Sequence, residues 1–235
     1  MIKINLNLMQ RRIRKLHSQH VIHESFRFGI LLAIAGGFLD SYTFIGRGGV
    51  FANAQTGNIV LLAIYASKGE WMHAFANIPS IVAFVTGVIV VQTIKNDSSC
   101  LFMNDWPRVV LIFEIIVLFV IGFIPSTIPN IIVNVTISFV ASIQVCSFSK
   151  IADSPYSSTM STGNLRSAAR EAYIAFTQKD HEAAIRTIRL FTVVFSFLVG
   201  SFLGGILTLN IGVKAIWGAA IIIFSALVLY NINNS

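Results

Sequence analysis

Two short stretches of the chain carry the same polar tripeptide, Thr56-Gly57-Asn58 and Thr162-Gly163-Asn164, each followed by a branched aliphatic residue. In this pattern the Thr is expected as a helix N-cap, its hydroxyl accepting from an unpaired N–H of the first turn. Gly57 and Gly163 permit close backbone approach or unusual dihedrals. A helix that begins there aims unpaired N–H groups and roughly half a positive charge at whatever lies before it, which suits an anionic or strongly polar solute. Read more plainly, the same tripeptide is a turn tying two helices together, with Asn58 and Asn164 satisfying backbone groups. Polar neighbours that could line a common cavity are Asn53, Gln55, Gln144 and Ser161.

Asp40 is the most informative ionisable residue, because it sits among Ile34, Phe38, Leu39, Phe44 and Ile45. A central Asp costs about 3 kcal/mol on an insertion scale, and its apolar neighbours return about 4 kcal/mol together. Insertion is nearly balanced, so Asp40 is expected to face protein or water rather than lipid. It could bind a cation or a proton, contact a solute, or cap a broken helix. Glu114 is a second acid in an apolar run, a turn or so from Arg108, which suits a structural ion pair or a position near the membrane interface.

What must position these groups follows from composition. Of 235 residues, 55% are apolar and 11% charged, with 19 Phe and a mean hydropathy of +0.75. Soluble domains run near 25% charged, so lipid must cover much of this surface. Six runs approach the roughly 20 residues that cross a bilayer: 28–46, 78–94, 109–124, 131–148, 190–209 and 213–230. The Thr-Gly-Asn segments do not fit as spans. Arg166, Arg170 and Glu171 follow the second, and Gly57 to Ser67 reaches only about 16 Å.

The two tripeptides lie 106 residues apart, and the same offset carries the first three spans roughly onto the last three. The expected fold is therefore an all-α integral membrane protein of two repeats, residues 28–124 and 131–230, after a basic cytoplasmic segment at 1–27. Each repeat has three crossings and one half-length Thr-Gly-Asn helix. An odd number of crossings inverts the second repeat against the first. Charge agrees: the basic N-terminus and the basic 150–189 region fall inside together, whereas the uncharged link at 125–130 falls outside. Gly29, Ala33, Gly37 and Ser41, and likewise Ser196, Gly200 and Gly204, recur every fourth residue, as close helix packing in lipid requires.

Other chemistries are excluded or disfavoured. The net charge of +7 is placed as cytoplasmic loops are, so no nucleic-acid partner is expected. Cys100 and Cys146 lack metal-ligand spacing, and His17, His20 and His23 do not share a helical face, so no metal or cofactor is expected. A serine-based enzyme would want a histidine within the membrane, but His73 and His181 fall in connecting segments; an enzyme is not expected. The first apolar run lacks a cleavage signature and reads as a retained helix.

Gly36-Gly37-Phe38-Leu39-Asp40-Ser41, then Gly48-Gly49-Val50-Phe51 leading into Gln55-Thr56-Gly57-Asn58, resembles the first signature of the YoaK-type membrane family, a bacterial family of unknown function. Ser142-Ile143-Gln144 and Met160-Ser161-Thr162-Gly163-Asn164 resemble its weaker second signature, with Val145 and Ser142 departing from residues common among relatives. The resemblance spans nearly all of 28–230 and implies a six-helix protein of the bacterial cytoplasmic membrane, of a kind often suspected of transport. Its expected partners are the lipid bilayer and a small polar or anionic solute. A scaffold or regulatory protein is the rival reading, and substrate, coupling ion and oligomeric state are not legible.

Overall fold

The computed structural model describes residues 26–96, 105–148, 150–151, 154–155 and 161–233. The basic N-terminal segment before Phe26, Cys100, and the residues just before Ser161 lie outside the described residues. The helices are α1 (Phe26–Gly46), α2 (Gln55–Ser67), α3 (Trp71–Phe75), α4 (Ile78–Asn96), α5 (Trp106–Ile121), α6 (Asn130–Ser147), α7 (Ser161–Gln178), α8 (His181–Ile211) and α9 (Ile216–Asn233). Lys150–Ile151 and Ser154–Pro155 form a two-residue antiparallel pairing, the one extended element among the described residues.

The surface pattern is that of a protein solvated by lipid. Helix α8 exposes Phe195, Phe202 and Leu209, whereas its buried positions include Ser196, Gly200, Gly204 and Thr208. Water would invert that arrangement; lipid tails are as apolar as the side chains, so small and polar residues take the helix contacts. Four stretches are long and apolar enough to cross a bilayer: Phe26–Gly46, Trp71–Asn96, Asn130–Ser147 and His181–Ile232. The expected runs at 190–209 and 213–230 fall in the last of these, and the run at 109–124 corresponds to the 16-residue α5.

Contacts give the direction of each helix. Helices α1 and α8 run parallel, with Gly37 against Phe197 and Ser201, Gly200 against Ile34, Gly204 against Phe38, and Gly46 against Thr208. Helices α4 and α6 are also parallel: Gly87 lies on Phe139 and Ser142, and Lys95 Nζ donates to the Cys146 carbonyl at 2.7 Å. Helix α5 is antiparallel to α6, through Trp106 Nε1 donating to Ser147 Oγ, and to α9. The α5–α9 contact is tied at one end by Trp217 to the Phe119 carbonyl and at the other by Tyr230 to Asp105. Between α8 and α9 the chain reverses at Gly212, whose φ of 62° lies in the left-handed region glycine tolerates. The reversal brings the Leu207 side chain within 3.4 Å of where a Cβ on Gly218 would stand.

Helix ends thus gather on two sides. The start of α1 and the ends of α4, α6 and α9 lie with Arg27; the end of α1, the α5–α6 link and the α8–α9 reversal lie with Pro125. On the Pro125 side a fully buried Arg47 gathers the turns. Its guanidinium donates to the Ile124 carbonyl at 2.9 Å and to Tyr42 Oη at 3.0 Å, and Tyr42 donates in turn to the Val213 carbonyl.

A methyl group at Gly200 would overlap the Ile34 backbone, whereas one at Gly205 would stand 3.5 Å from the end of Ile45. Gly200→Ala is therefore expected to destabilise the protein by about 1–3 kcal/mol and Gly205→Ala by far less. Thermal unfolding of the two variants in the same detergent checks this contrast.

Candidate functional site

The site begins where α1 ends. Gly48 and Gly49 adopt positive φ of 88° and 77°, turning the chain back along the helix it has just left. Phe51 then stacks on Phe44 with ring centres 4.7 Å apart. Asn53 reaches Gly36, its side-chain nitrogen donating to that carbonyl at 3.2 Å. Gly36 lies ten residues, about 15 Å, before Gly46 in the 21-residue α1. Helix α2, starting at Gln55, therefore begins about halfway along α1.

The carboxylate of Asp40 holds that turn. Its Oδ1 accepts from the Asn53 amide at 2.6 Å and the Ala54 amide at 3.4 Å. The Thr56 capping expectation is corrected here: Ala54 occupies the N-cap without a side-chain bond, and Thr56 lies exposed within the first turn. The capping oxygen comes from α1 rather than from the neighbouring residue. Chain reversal after Gly48 makes this possible by laying residues 51–54 alongside Gly36 to Asp40.

Asn58 locks the same turn from the other side. Its Oδ1 accepts from the Phe51 amide, and its Nδ2 donates to the Phe51 carbonyl, both at 2.8 Å. That nitrogen also donates to Gln55 Oε1, while Gln55 Nε2 donates to the Ala52 carbonyl. Gly57 has a steric role: a Cβ there would stand 2.8 Å from the Phe51 ring. Asp40, Asn53, Gln55, Gly57 and Asn58 are thus one assembly. Within it, Asp40 Oδ2 and Asn53 Oδ1 are buried acceptors with no hydrogen-bond partner.

Helix α4 runs toward the Arg27 side, so its first residues lie on the Pro125 side. Helix α2, joined to it through α3, returns to the side from which its turn came.

The second tripeptide is placed differently. Helix α7 starts at Ser161, so Thr162, like Thr56, lies inside the first turn rather than at the cap; Thr162 and Gly163 are exposed and Asn164 is buried. No described atom lies within 4 Å of a Cβ built on Gly163, so the close approach seen at Gly57 is not repeated. Ser161 borders an open, largely apolar groove of about 440 Å³ with Phe191, Val194, Phe195, Phe197, Leu198 and Ser201 of α8. Phe197 and Ser201 face Gly37, which puts the start of α7 level with the middle of α1. Helix α7 then runs to the Arg27 side, where Asp180 caps α8 and Glu171 accepts from Arg186 at 2.7 Å. Helices α2 and α7 do not pack against each other.

Gln144 does not join the Asp40 assembly. Its side-chain nitrogen donates to Glu114 Oε2 at 2.9 Å. The expected Glu114–Arg108 pair is corrected accordingly: Arg108 lies 3.7 Å from Asp105, and Glu114 is fully buried against Gln144. Sequence reasoning passed over Arg47; its signal is a lone cation among glycines at the end of a span. Among the described residues no group of three His, Cys, Asp or Glu is placed to hold a metal ion.

Asp40→Ala leaves the Asn53 and Ala54 amides without their acceptor, whereas Asp40→Asn keeps an oxygen in place. The alanine variant is expected to lose about 1–3 kcal/mol of stability and the asparagine variant less. Equal unfolding temperatures for wild type and Asp40→Ala would remove Asp40 as the tie of this turn.

Comparison with known proteins supports a membrane protein. The family model described as "Protein of unknown function (DUF1275)" matches residues 28–229. The chain is 25% identical over 202 residues to the UPF0700 transmembrane protein YoaK of Bacillus subtilis (strain 168), covering 83% of this chain and 88% of that one. No solved structure matches.

Proposed function

The chain belongs to the DUF1275 family of transmembrane proteins of unknown function, and on that premise we propose that it is a transporter for a small polar solute rather than an enzyme. The observation that carries the reading is the start of α2, held halfway along α1 by Asp40. Half-length helices whose ends lie at membrane depth are a recurring way of building a solute site between inverted repeats.

The repeat reading draws support from helix direction. Helices α1 and α6 run oppositely, as do α4 and α8, and α5 and α9. Helices α2 and α7 both start level with the middle of α1 and leave by opposite sides. In this reading the halves 28–124 and 131–230 are inverted copies with three crossings each, six in all. Arg27, Lys95, Arg108, Arg186 and Arg189 fall on one side, which the positive-inside bias makes cytoplasmic. The membrane is then the bacterial cytoplasmic membrane, with the N-terminus inside.

Asp40 narrows the solute class. Its carboxylate already stands before α2, where a substrate anion would sit. Its second oxygen and the Asn53 side-chain oxygen are buried acceptors without a partner, so a cation, a proton or a donor-rich neutral solute fits better than an anion. In the same reading Thr162, Gly163 and Asn164 form the corresponding, more open start of α7. One observation favours a scaffold instead: the hydrogen bonds of Asn53, Gln55 and Asn58 all end on the chain itself.

Two experiments decide. In a background lacking Cys100 and Cys146, cysteines at Lys68 and Gln178, just after α2 and at the end of α7, are expected to react with an impermeant thiol reagent from opposite sides of the membrane; reaction from one side sinks the inverted arrangement. Cysteines at Gln55 and Ser161 are expected to react through water, and Asp40→Asn is expected to abolish ion-coupled solute uptake by liposomes while the protein stays folded. Unreactive cysteines in a folded protein favour the scaffold, and unchanged uptake in Asp40→Asn removes the coupling role.

A further inference from the structure

A second carboxyl lies in the helix bundle, outside the Asp40 assembly. Glu114 is fully buried in the middle of α5, between Leu111 and Leu118, which are themselves fully buried in the core with Ile223 and Ala226 of α9. One neutral group reaches it: Gln144 of α6 donates to Oε2 at 2.9 Å, and Oε1 has no partner.

No cation neutralises it among the described residues. Arg108 is six residues away, about 9 Å along the helix, and lies toward Asp105. On α6, packed against it, Asn130–Ser147 contains no Asp, Glu, Lys, Arg or His, and its Cys146 carbonyl accepts from Lys95 of α4. On α9, Ile216–Asn233 likewise has none; its Tyr230 donates to Asp105. The charged groups of α1 are taken elsewhere or lie at its start: Asp40 by the returning turn, Arg47 by the Ile124 carbonyl, and Arg27 on an exposed position. An ionised carboxylate with a single neutral donor in such a place costs several kcal/mol. A carboxylic acid costs far less, because only one hydroxyl lacks a partner.

We propose that Glu114, paired with Gln144 in the contact between α5 and α6, is a proton-binding site that holds an exchangeable proton on its unpartnered oxygen. Gln144 suits such a site because a primary amide can donate to a carboxylate or carbonyl oxygen and can accept from a carboxylic O–H. It serves the group in both protonation states without rearrangement of the helices. The pair also ties α5 to α6 across the Pro125 link. The proposal does not depend on transport, since a scaffold could hold the same proton.

Infrared difference spectroscopy of the full chain in liposomes, wild type minus Glu114→Gln, tests it. The expected result is a protonated carboxylic-acid carbonyl band at neutral pH, absent from the variant, that shifts in heavy water and loses intensity reversibly as pH is raised. Gln144→Leu is expected to keep the band and move its frequency, because one hydrogen bond to the acid is gone. It is also the fallback if Glu114→Gln fails to fold. Asp40→Asn is expected to leave the band in place, which separates this site from the Asp40 assembly. A carboxylate band in place of the acid band overturns the proposal. So does an acid band that neither shifts in heavy water nor responds to pH, which would make Glu114 a fixed structural acid.

Discussion

The fold depends on one carboxylate accepting hydrogen bonds from a chain that has turned back alongside its own helix. A peptide unit at membrane depth has no water to bond, so an irregular segment there must find every partner within the protein. Residues 51–54 do so with side chains rather than with a neighbouring strand. Asp40 takes the Asn53 and Ala54 amides, and Asn58 takes both the amide and the carbonyl of Phe51. Asn53 meanwhile satisfies a second lone pair of the Gly36 carbonyl. Removing the carboxylate would expose the backbone of the turn, so the most conspicuous charged residue of the first span is also a structural one.

Close packing sets the depth at which that turn is held. Gly200 and Gly204 of α8 lie directly on the backbone of α1 at Ile34 and Phe38, with Gly37 against Phe197 and Ser201. One stripe of small residues thus faces another, and no large side chain separates the two helices. The consequence for the site is rigidity: the part of α1 that carries Gly36 and Asp40 is clamped from behind by α8 while the returning turn bonds to its front. Arg47 performs the matching task at the end of α1, where carbonyls, rather than a counter-ion, satisfy a buried guanidinium. Five donors in a fixed fork let one side chain reach both Tyr42 and the Ile124 carbonyl, which a lysine could not do in the same geometry.

Much of this was legible in the sequence, and what was not has a physical reason. Helix positions followed from apolar runs, and the small-residue stripes on α1 and α8 announced close packing, though not that each is the other's partner. That α2 is too short to cross followed from its length. The capping assignment failed at Thr56 and Thr162 because both lie inside the first turn of their helices; at α2 the chain before the helix is held instead by Asp40, thirteen residues before Asn53, through a chain reversal. Gln144 was expected to line a common cavity with Asn53, Gln55 and Ser161, but its side chain is taken by Glu114 of the neighbouring helix. Glu114 found an amide on α6 rather than the cation on its own helix. The pairing of helices decides such partners, and no spacing within one helix reveals it.

The two buried acids show how environment separates groups of the same chemistry. Asp40 accepts from two backbone amides, donors that are lost only if the turn moves. Glu114 faces one side-chain amide and otherwise hydrocarbon. The Asp40 oxygen that holds the start of α2 is not the one left without a partner, so its bonds are tied to the shape of the turn. The partner of Glu114 is a side chain able to reorient, not the backbone. Asp40 thereby acts on the backbone of the turn, whereas Glu114 acts on one side chain between two helices.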